Sequence, residues 1–173
     1  MTPQKIMIFG CPGAGKSTFA TELHHATGLP LHFIDVMYYN GDWSEKNYDE
    51  YLSHLKNVTK QPRWIIDGNA LSSLDIRYQE ADLVIYFKFP LYQCIWGVVK
   101  RYLNFFLFPS TTAYGRPDNY REIICWKLIE YMWNFEKRTD PKIAQFKKNY
   151  PYVTFVEVRN SNDIARLKQN LIA

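Results

Sequence analysis

Lys5-Ile6-Met7-Ile8-Phe9 is a continuous apolar run that stops at Gly10, and across Lys16–Thr27 the apolar positions Phe19, Ala20 and Leu23 recur at helical spacing. The pattern predicts a strand, a glycine-rich turn and a helix, in that order. Gly28 and Pro30 end the helix, because glycine accepts the left-handed conformation after a helix and proline cannot continue one. Residues 31–34 predict a second strand. Tyr48, Tyr51, Leu52, Leu55 and Val58 recur at intervals of three and four, an amphipathic helix that stops before Pro62. Trp64-Ile65-Ile66 and Leu83-Val84-Ile85-Tyr86-Phe87 predict the third and fourth strands. These runs do not alternate with polar residues, which suits strands covered on both faces in a parallel sheet.

Two aromatic-rich helical segments, about 91–106 and 120–138, flank a polar stretch with Pro109, Gly115 and Pro117 that cannot be helical throughout and reads as a mobile loop. Residues 153–158 predict the fifth strand, and Ile164, Leu167 and Leu171 give the last helix an apolar stripe. No repeat or linker divides the chain, so residues 1–173 are expected to form a single three-layer α/β domain with right-handed crossovers. Tyr92, Trp96, Tyr102, Phe105, Phe106, Tyr120, Trp126, Tyr131, Trp133 and Phe135 are expected mainly in the core. Two helices apolar around most of their circumference exceed what one sheet face can cover, which leaves a homodimer through them as an option.

Composition narrows the function class. The chain is 47% hydrophobic and 22% charged, a globular balance. Its 21 Lys and Arg against 17 Asp and Glu give a formal charge of +4, which suits a small anionic ligand, and nucleic acid is not expected as a partner. The apolar stretch from Cys94 to Phe108 is interrupted by Lys100, Arg101 and Asn104 and is shorter than the ~20 residues of a bilayer span, so no membrane partner is expected. Cys11, Cys94 and Cys125 match no metal-ligand spacing, and the start of the chain lacks a signal-peptide pattern. A soluble protein of the reducing cytoplasm is expected.

Gly10-Cys11-Pro12-Gly13-Ala14-Gly15-Lys16-Ser17 satisfies G-x-x-x-x-G-K-[ST] between a predicted strand and a predicted helix, the context this phosphate-binding loop requires. Glycines let successive backbone N–H groups curl around a phosphate, and the helix N-terminus adds partial positive charge. Gly10, Pro12, Gly13, Ala14 and Gly15 are therefore expected to shape the cradle, Lys16 to bridge the β and γ phosphates, and Thr18 to reach the α phosphate. Ser17 is expected to place its hydroxyl on Mg2+, with ATP as the nucleotide.

In an open α/β sheet the ligand crevice lies at the carboxyl ends of the strands, where Asp35 and Asp67 fall. Asp67 is assigned to magnesium and Asp35 to acceptor binding or base chemistry. Asn69, Arg77 and Arg121 join them as candidate substrate contacts, with Arg77 suited to clamping an anionic acceptor. Arg101 and Arg116 bracket the predicted loop and are the candidates for stabilising the transferring phosphoryl group.

With these residues in place, the chain resembles the adenylate-kinase-like P-loop proteins often labelled DNA topology modulation proteins. The resemblance is carried by the phosphate loop, Phe33-Ile34-Asp35, Trp43, Trp64-Ile65-Ile66-Asp67-Gly68-Asn69, Ala81-Asp82-Leu83-Val84-Ile85-Tyr86, Phe89-Pro90, Arg116-Pro117-Asp118 and Trp133-Asn134-Phe135. It implies a P-loop NTPase fold with a five-stranded parallel sheet in the order 2-3-1-4-5, an acceptor region after strand two, and a helical lid after strand four, about residues 101–121. Where adenylate kinases follow the Asp-Gly of strand three with Phe-Pro-Arg, this chain has Asn69-Ala70-Leu71, and no Arg occurs between positions 31 and 62. The leading expectation is an ATP- and magnesium-dependent kinase acting on a small molecule, with nucleotides among the candidates. The alternative is a nucleotide-dependent regulatory or DNA-associated protein.

Overall fold

The computed structural model describes residues 2–40, 42–107, 115 and 124–172. Five strands, β1 (Lys5–Gly10), β2 (Leu31–Phe33), β3 (Trp64–Asp67), β4 (Leu83–Phe87) and β5 (Thr154–Val158), form one parallel sheet in the order β2-β3-β1-β4-β5. Helices α1 (Lys16–Thr27), α2 (Ile34–Tyr38), α3 (Tyr48–Thr59), α4 (Leu74–Tyr78), α5 (Leu91–Leu107), α6 (Trp126–Trp133), α7 (Phe135–Asn149) and α8 (Ser161–Ile172) cover both faces. A 3-10 turn, Leu71–Ser73, precedes α4. This strand order, with helices on both faces, is the one that the resemblance implied.

Ile6, Met7, Ile8 and Phe9 of β1, Ile65 and Ile66 of β3, and Val84 and Ile85 of β4 are all buried without alternation. Consecutive buried residues require cover above and below the sheet, and burying each such side chain stabilises by about 1.5–3 kcal/mol. Phe9 and Tyr86, partners in register, stack with ring centroids 4.8 Å apart, and Phe19 of α1 meets Phe87 edge-on at 5.5 Å. The phosphate loop is thus anchored at both ends in the core. Gly28 closes α1 at φ 67° and donates its N–H to His24 O. Asn47 caps α3 by accepting from the amides of Asp49 and Glu50 at 2.9 and 3.2 Å.

Several expectations change. Strand two is one residue shorter, because buried Ile34 opens α2 instead of extending β2. The predicted helix over 120–138 is two helices, broken at Asn134, which takes φ −92° and ψ 4°. Pro141 does not stop α7. A proline inside a helix costs about 3 kcal/mol, and burial of Phe135, Thr139, Ile143 and Phe146 along α7 offsets it. Core placement holds for Phe135 and partly for Tyr131, but Tyr92, Trp96, Phe106, Trp126 and Trp133 are each more than 60% exposed. The sheet offers α5 and α6 one face to cover, and their other sides stay outward.

Of the predicted lid, residues 101–107 complete α5. A Cβ built on Gly115 would stand 2.6 Å from Phe33 Cδ1, so residue 115 rests on the ring that ends β2. The remainder, with Arg116, Tyr120 and Arg121, lies outside the described residues. Among the described residues no helix is long and apolar enough to cross a membrane.

Candidate functional site

Gly15 occupies the position before α1 at φ 86°, a left-handed conformation that glycine takes without a steric penalty. Gly13, at φ 83°, lies against α5 so closely that a Cβ there would be 2.1 Å from Cys94 O. Gly97 of α5 answers from the other side, since its Cβ would be 2.1 Å from Gly13 O. Backbone thus packs on backbone, with Ala14 buried behind and Pro12 and Gly13 half-buried. Gly15 and Thr18 are exposed and Ser17 is half-buried. The first-turn amides of a helix have no partner within it, so this exposed turn offers N–H donors and positive potential to an anion.

Lys16 is 8% exposed and folds back to donate from Nζ to Cys11 O at 3.0 Å. Burial lowers its pKa from the ordinary lysine range. The negative charges of Asp67 and Asp35 oppose that shift, and the positive charge of Arg101 reinforces it. Asp67 ends β3, is 3% exposed, and accepts the Ser17 hydroxyl on Oδ2 at 2.6 Å. Asp35, in the first turn of α2, is half-buried and close enough to stabilise the cations of both Lys16 and Arg77. Lys16, Ser17, Asp67 and Asp35 therefore gather at the carboxyl ends of the strands, within electrostatic reach of Arg101 of α5.

The Ser17 hydroxyl and Asp67 carboxylate are hard oxygen donors in contact, a pairing that fits Mg2+, which takes one or two protein ligands and completes its shell with phosphate and water. Among the described residues no group of three His, Cys, Asp or Glu side chains converges on a metal position. The protein thus offers part of a shell.

Arg77 and Asn69 are placed differently from the expected acceptor contacts. Arg77 is fully buried and donates from Nη1 to Gly68 O at 2.8 Å, from Nη2 to Ala70 O at 3.0 Å and from Nε to Ser73 O at 3.4 Å. Burial pushes its guanidinium down to about 10, still charged at neutral pH. The turn after β3 leaves buried carbonyls without ladder partners, and a guanidinium satisfies several at once. Asn69 Oδ1 in turn accepts the Gly10 amide at 3.0 Å. Arg77 braces the turn, and the turn braces the start of the phosphate loop.

Sequence reasoning missed three contributors. Tyr39, the residue after α2, donates its N–H to Asp35 O, and its phenol is raised by burial and then by the Asp35 charge. The phenol of Tyr131 in α6 is raised by burial and then by the Asp35 charge. Gly97 is the third, and a lone glycine in an apolar helix was its legible signal. A hollow of about 520 Å³, lined by Gln4, Leu29, Arg63 and Leu171 among others, lies at the amino ends of the strands, away from this site.

No family model and no curated protein matches the chain. Solved structures do. A deoxyadenosine kinase from M. mycoides with bound dATP superposes with a TM-score of 0.57 at 20% identity, over 98% of this chain and 100% of that one. The same kinase with the products dCMP and a flexible dCDP gives 0.52 at 19% identity, over 96% and 97%. A gluconokinase from Sinorhizobium meliloti 1021 gives 0.52 at 13% identity, over 98% and 96%. At these identities the likeness is one of fold.

Proposed function

We propose that the protein is a magnesium-dependent kinase that transfers the γ-phosphoryl group of ATP to a hydroxyl of a small molecule, with nucleotides among the candidate acceptors. The observation that carries this reading is the Ser17–Asp67 contact beside Lys16, with the charges of Asp35 and Arg101 felt at Lys16. The loop amides and Lys16 hold the β and γ phosphates. Ser17 and Asp67 would hold magnesium, which when bound neutralises charge on the phosphate oxygens. Asp35 receives the acceptor's proton, and Arg101, joined by Arg116, stabilises the charge spread over the moving group. The matching folds belong to kinases, one of them a nucleoside kinase holding nucleotides, which supports a phosphotransferase. Free Cys11, Cys94 and Cys125 agree with a cytoplasmic setting.

The test is transfer from Mg-ATP to a panel of nucleotides, nucleosides, sugars and other metabolites. Lys16→Ala should lower transfer by roughly 10²–10³-fold, the range for loss of one preorganised donor. Undiminished transfer in that variant, or no acceptor in the panel, defeats the proposal. No observation favours the DNA-associated alternative, which would require salt-sensitive retention on DNA.

A further inference from the structure

The turn after α2 carries an unusual concentration of rings beside Asp35. Tyr38 contacts Tyr39, Tyr48 and Tyr51 with centroids 4.7, 6.0 and 4.8 Å apart, and Tyr39 meets Trp43 at 5.8 Å with planes at 62°. Tyr51 is buried and Tyr38 reaches it, so these two belong to the packing of α2 on α3. Tyr39 and Trp43 are half-buried and stand further along the turn.

Trp43 has φ 64°, and among the described residues no other non-glycine residue has a positive φ. Bulky side chains disfavour that conformation, so neighbouring bonds must impose it. They do. Trp43 N–H donates to Asn40 O at 3.0 Å and Asn40 N–H to Ser44 O at 2.9 Å. Ser44 N–H donates to Asp42 Oδ1 at 2.9 Å, Lys46 N–H to Tyr38 O at 2.8 Å, and the Tyr38 hydroxyl to Glu45 Oε2 at 2.6 Å. A turn held this firmly could have carried glycine or asparagine at position 43 without strain. It carries the largest ring instead.

Charge identifies what such a surface can receive. A phosphorylated acceptor needs guanidinium or ammonium donors, and positions 31–62 contain no Arg. Lys46 spends its ammonium on Val36 O at 2.7 Å, Arg77 is buried against carbonyls, and Lys56 lies in the last turn of α3. Asp35 and Glu45 both add negative charge at Tyr39, which favours an acceptor hydroxyl over a phosphate there.

We propose that Tyr39 and Trp43 form the acceptor shelf, and that the acceptor is an uncharged alcohol carrying a planar ring, of the nucleoside class. The inference rests on the kinase reading above. With the ring on the shelf, the acceptor hydroxyl oxygen bonds to the γ phosphorus as the β–γ bridging P–O bond breaks. The hydroxyl proton passes to the Asp35 carboxylate, and ADP leaves with the electron pair of the broken bond.

The experiment compares nucleosides with their monophosphates as acceptors, using the full chain and Mg-ATP, in the wild type and in Trp43→Gly, Trp43→Asn and Trp43→Phe. Glycine and asparagine keep the turn and remove the ring, whereas phenylalanine keeps a ring. Nucleosides should be the better acceptors. Their KM should rise roughly 5- to 150-fold in the Gly and Asn variants, the range for loss of one stacking partner. Phenylalanine should restore most of this, with the KM for ATP unchanged throughout and Tm no lower in the glycine variant. Transfer preferring monophosphates or ringless alcohols, or an acceptor KM unmoved by both ring deletions, overturns the shelf while leaving the kinase intact. No transfer to any acceptor removes both.

Discussion

Lys16 must carry a positive charge where burial disfavours one. An ordinary lysine titrates near about 10.4, and in the folded protein this one titrates lower. Between the two values the unfolded chain binds more protons, so this residue's contribution to stability improves as pH rises through that window. Nucleotide binding has the opposite sign, because phosphate is attracted to the ammonium form alone. Once pH passes the lowered value, affinity for Mg-ATP should fall about tenfold per pH unit. Thermal stabilisation by a non-hydrolysable ATP analogue should therefore begin to shrink at a pH below the ordinary lysine range, and Lys16→Met should lack the trend. Stabilisation that stays constant to about pH 10 would mean that Lys16 does not face the phosphates as a cation. At this scale the grouping of the loop, Lys16, Ser17 and Asp67 was legible, because it follows from adjacent positions and from where a strand ends. The bracing roles of Asn69 and Arg77 were not. The Asn69 bond joins residues 59 positions apart, and an arginine's sequence does not say whether its donors point outward or at buried carbonyls.

At the scale of elements, the contact between the phosphate loop and α5 gives a test in which two effects oppose each other. Gly97 lies inside a helix, where Ala would be better by about 1 kcal/mol from propensity alone. The added Cβ, however, would fall 2.1 Å from Gly13 O, a backbone atom that cannot rotate away. Overpacking costs typically about 1–3 kcal/mol, so the clash should prevail and Gly97→Ala should lower Tm by a few degrees and weaken nucleotide binding. A rise in Tm would show that the loop does not lean on α5 as described. Strands and long helices were readable because apolar runs and three-to-four spacing extend over enough residues to be distinctive. Helices α2 and α4, five residues each, are too short to establish a period, and Tyr39 went unrecognised with α2. The break at Asn134 leaves no mark in the apolar pattern, and Pro141 resembles a helix stop until the buried side of α7 is seen.

At the scale of the whole molecule, the outward sides of α5 and α6 bear on assembly. Tyr92, Trp96, Leu103 and Phe106 recur at intervals of four, seven and three along α5 and are 70, 64, 46 and 74% exposed, with Trp126 and Trp133 of α6 at 79 and 67%. Isolated exposed rings are ordinary, but monomers rarely leave a large contiguous apolar patch in water. Exposed Lys100, one turn from both Trp96 and Leu103, borders the α5 stripe, so two copies meeting across a two-fold axis would keep it at the rim. Compositionally the stripe matches the centre of an interface, where aromatics are enriched and charges depleted. We propose a homodimer through α5 and α6, the option that the apolar circumference of these segments left open. Light scattering over roughly 1–100 µM protein, around the μM affinities such interfaces commonly reach, should give twice the chain mass. Trp96→Glu places two carboxylates in the shared face and should shift the equilibrium to monomer, while the KM for ATP stays the same because Trp96 is not among the loop contacts. A chain that remains monomeric across that range, with Trp96→Glu indistinguishable from the wild type, would leave the stripe as solvent-facing surface and require the candidate site to be complete in one copy.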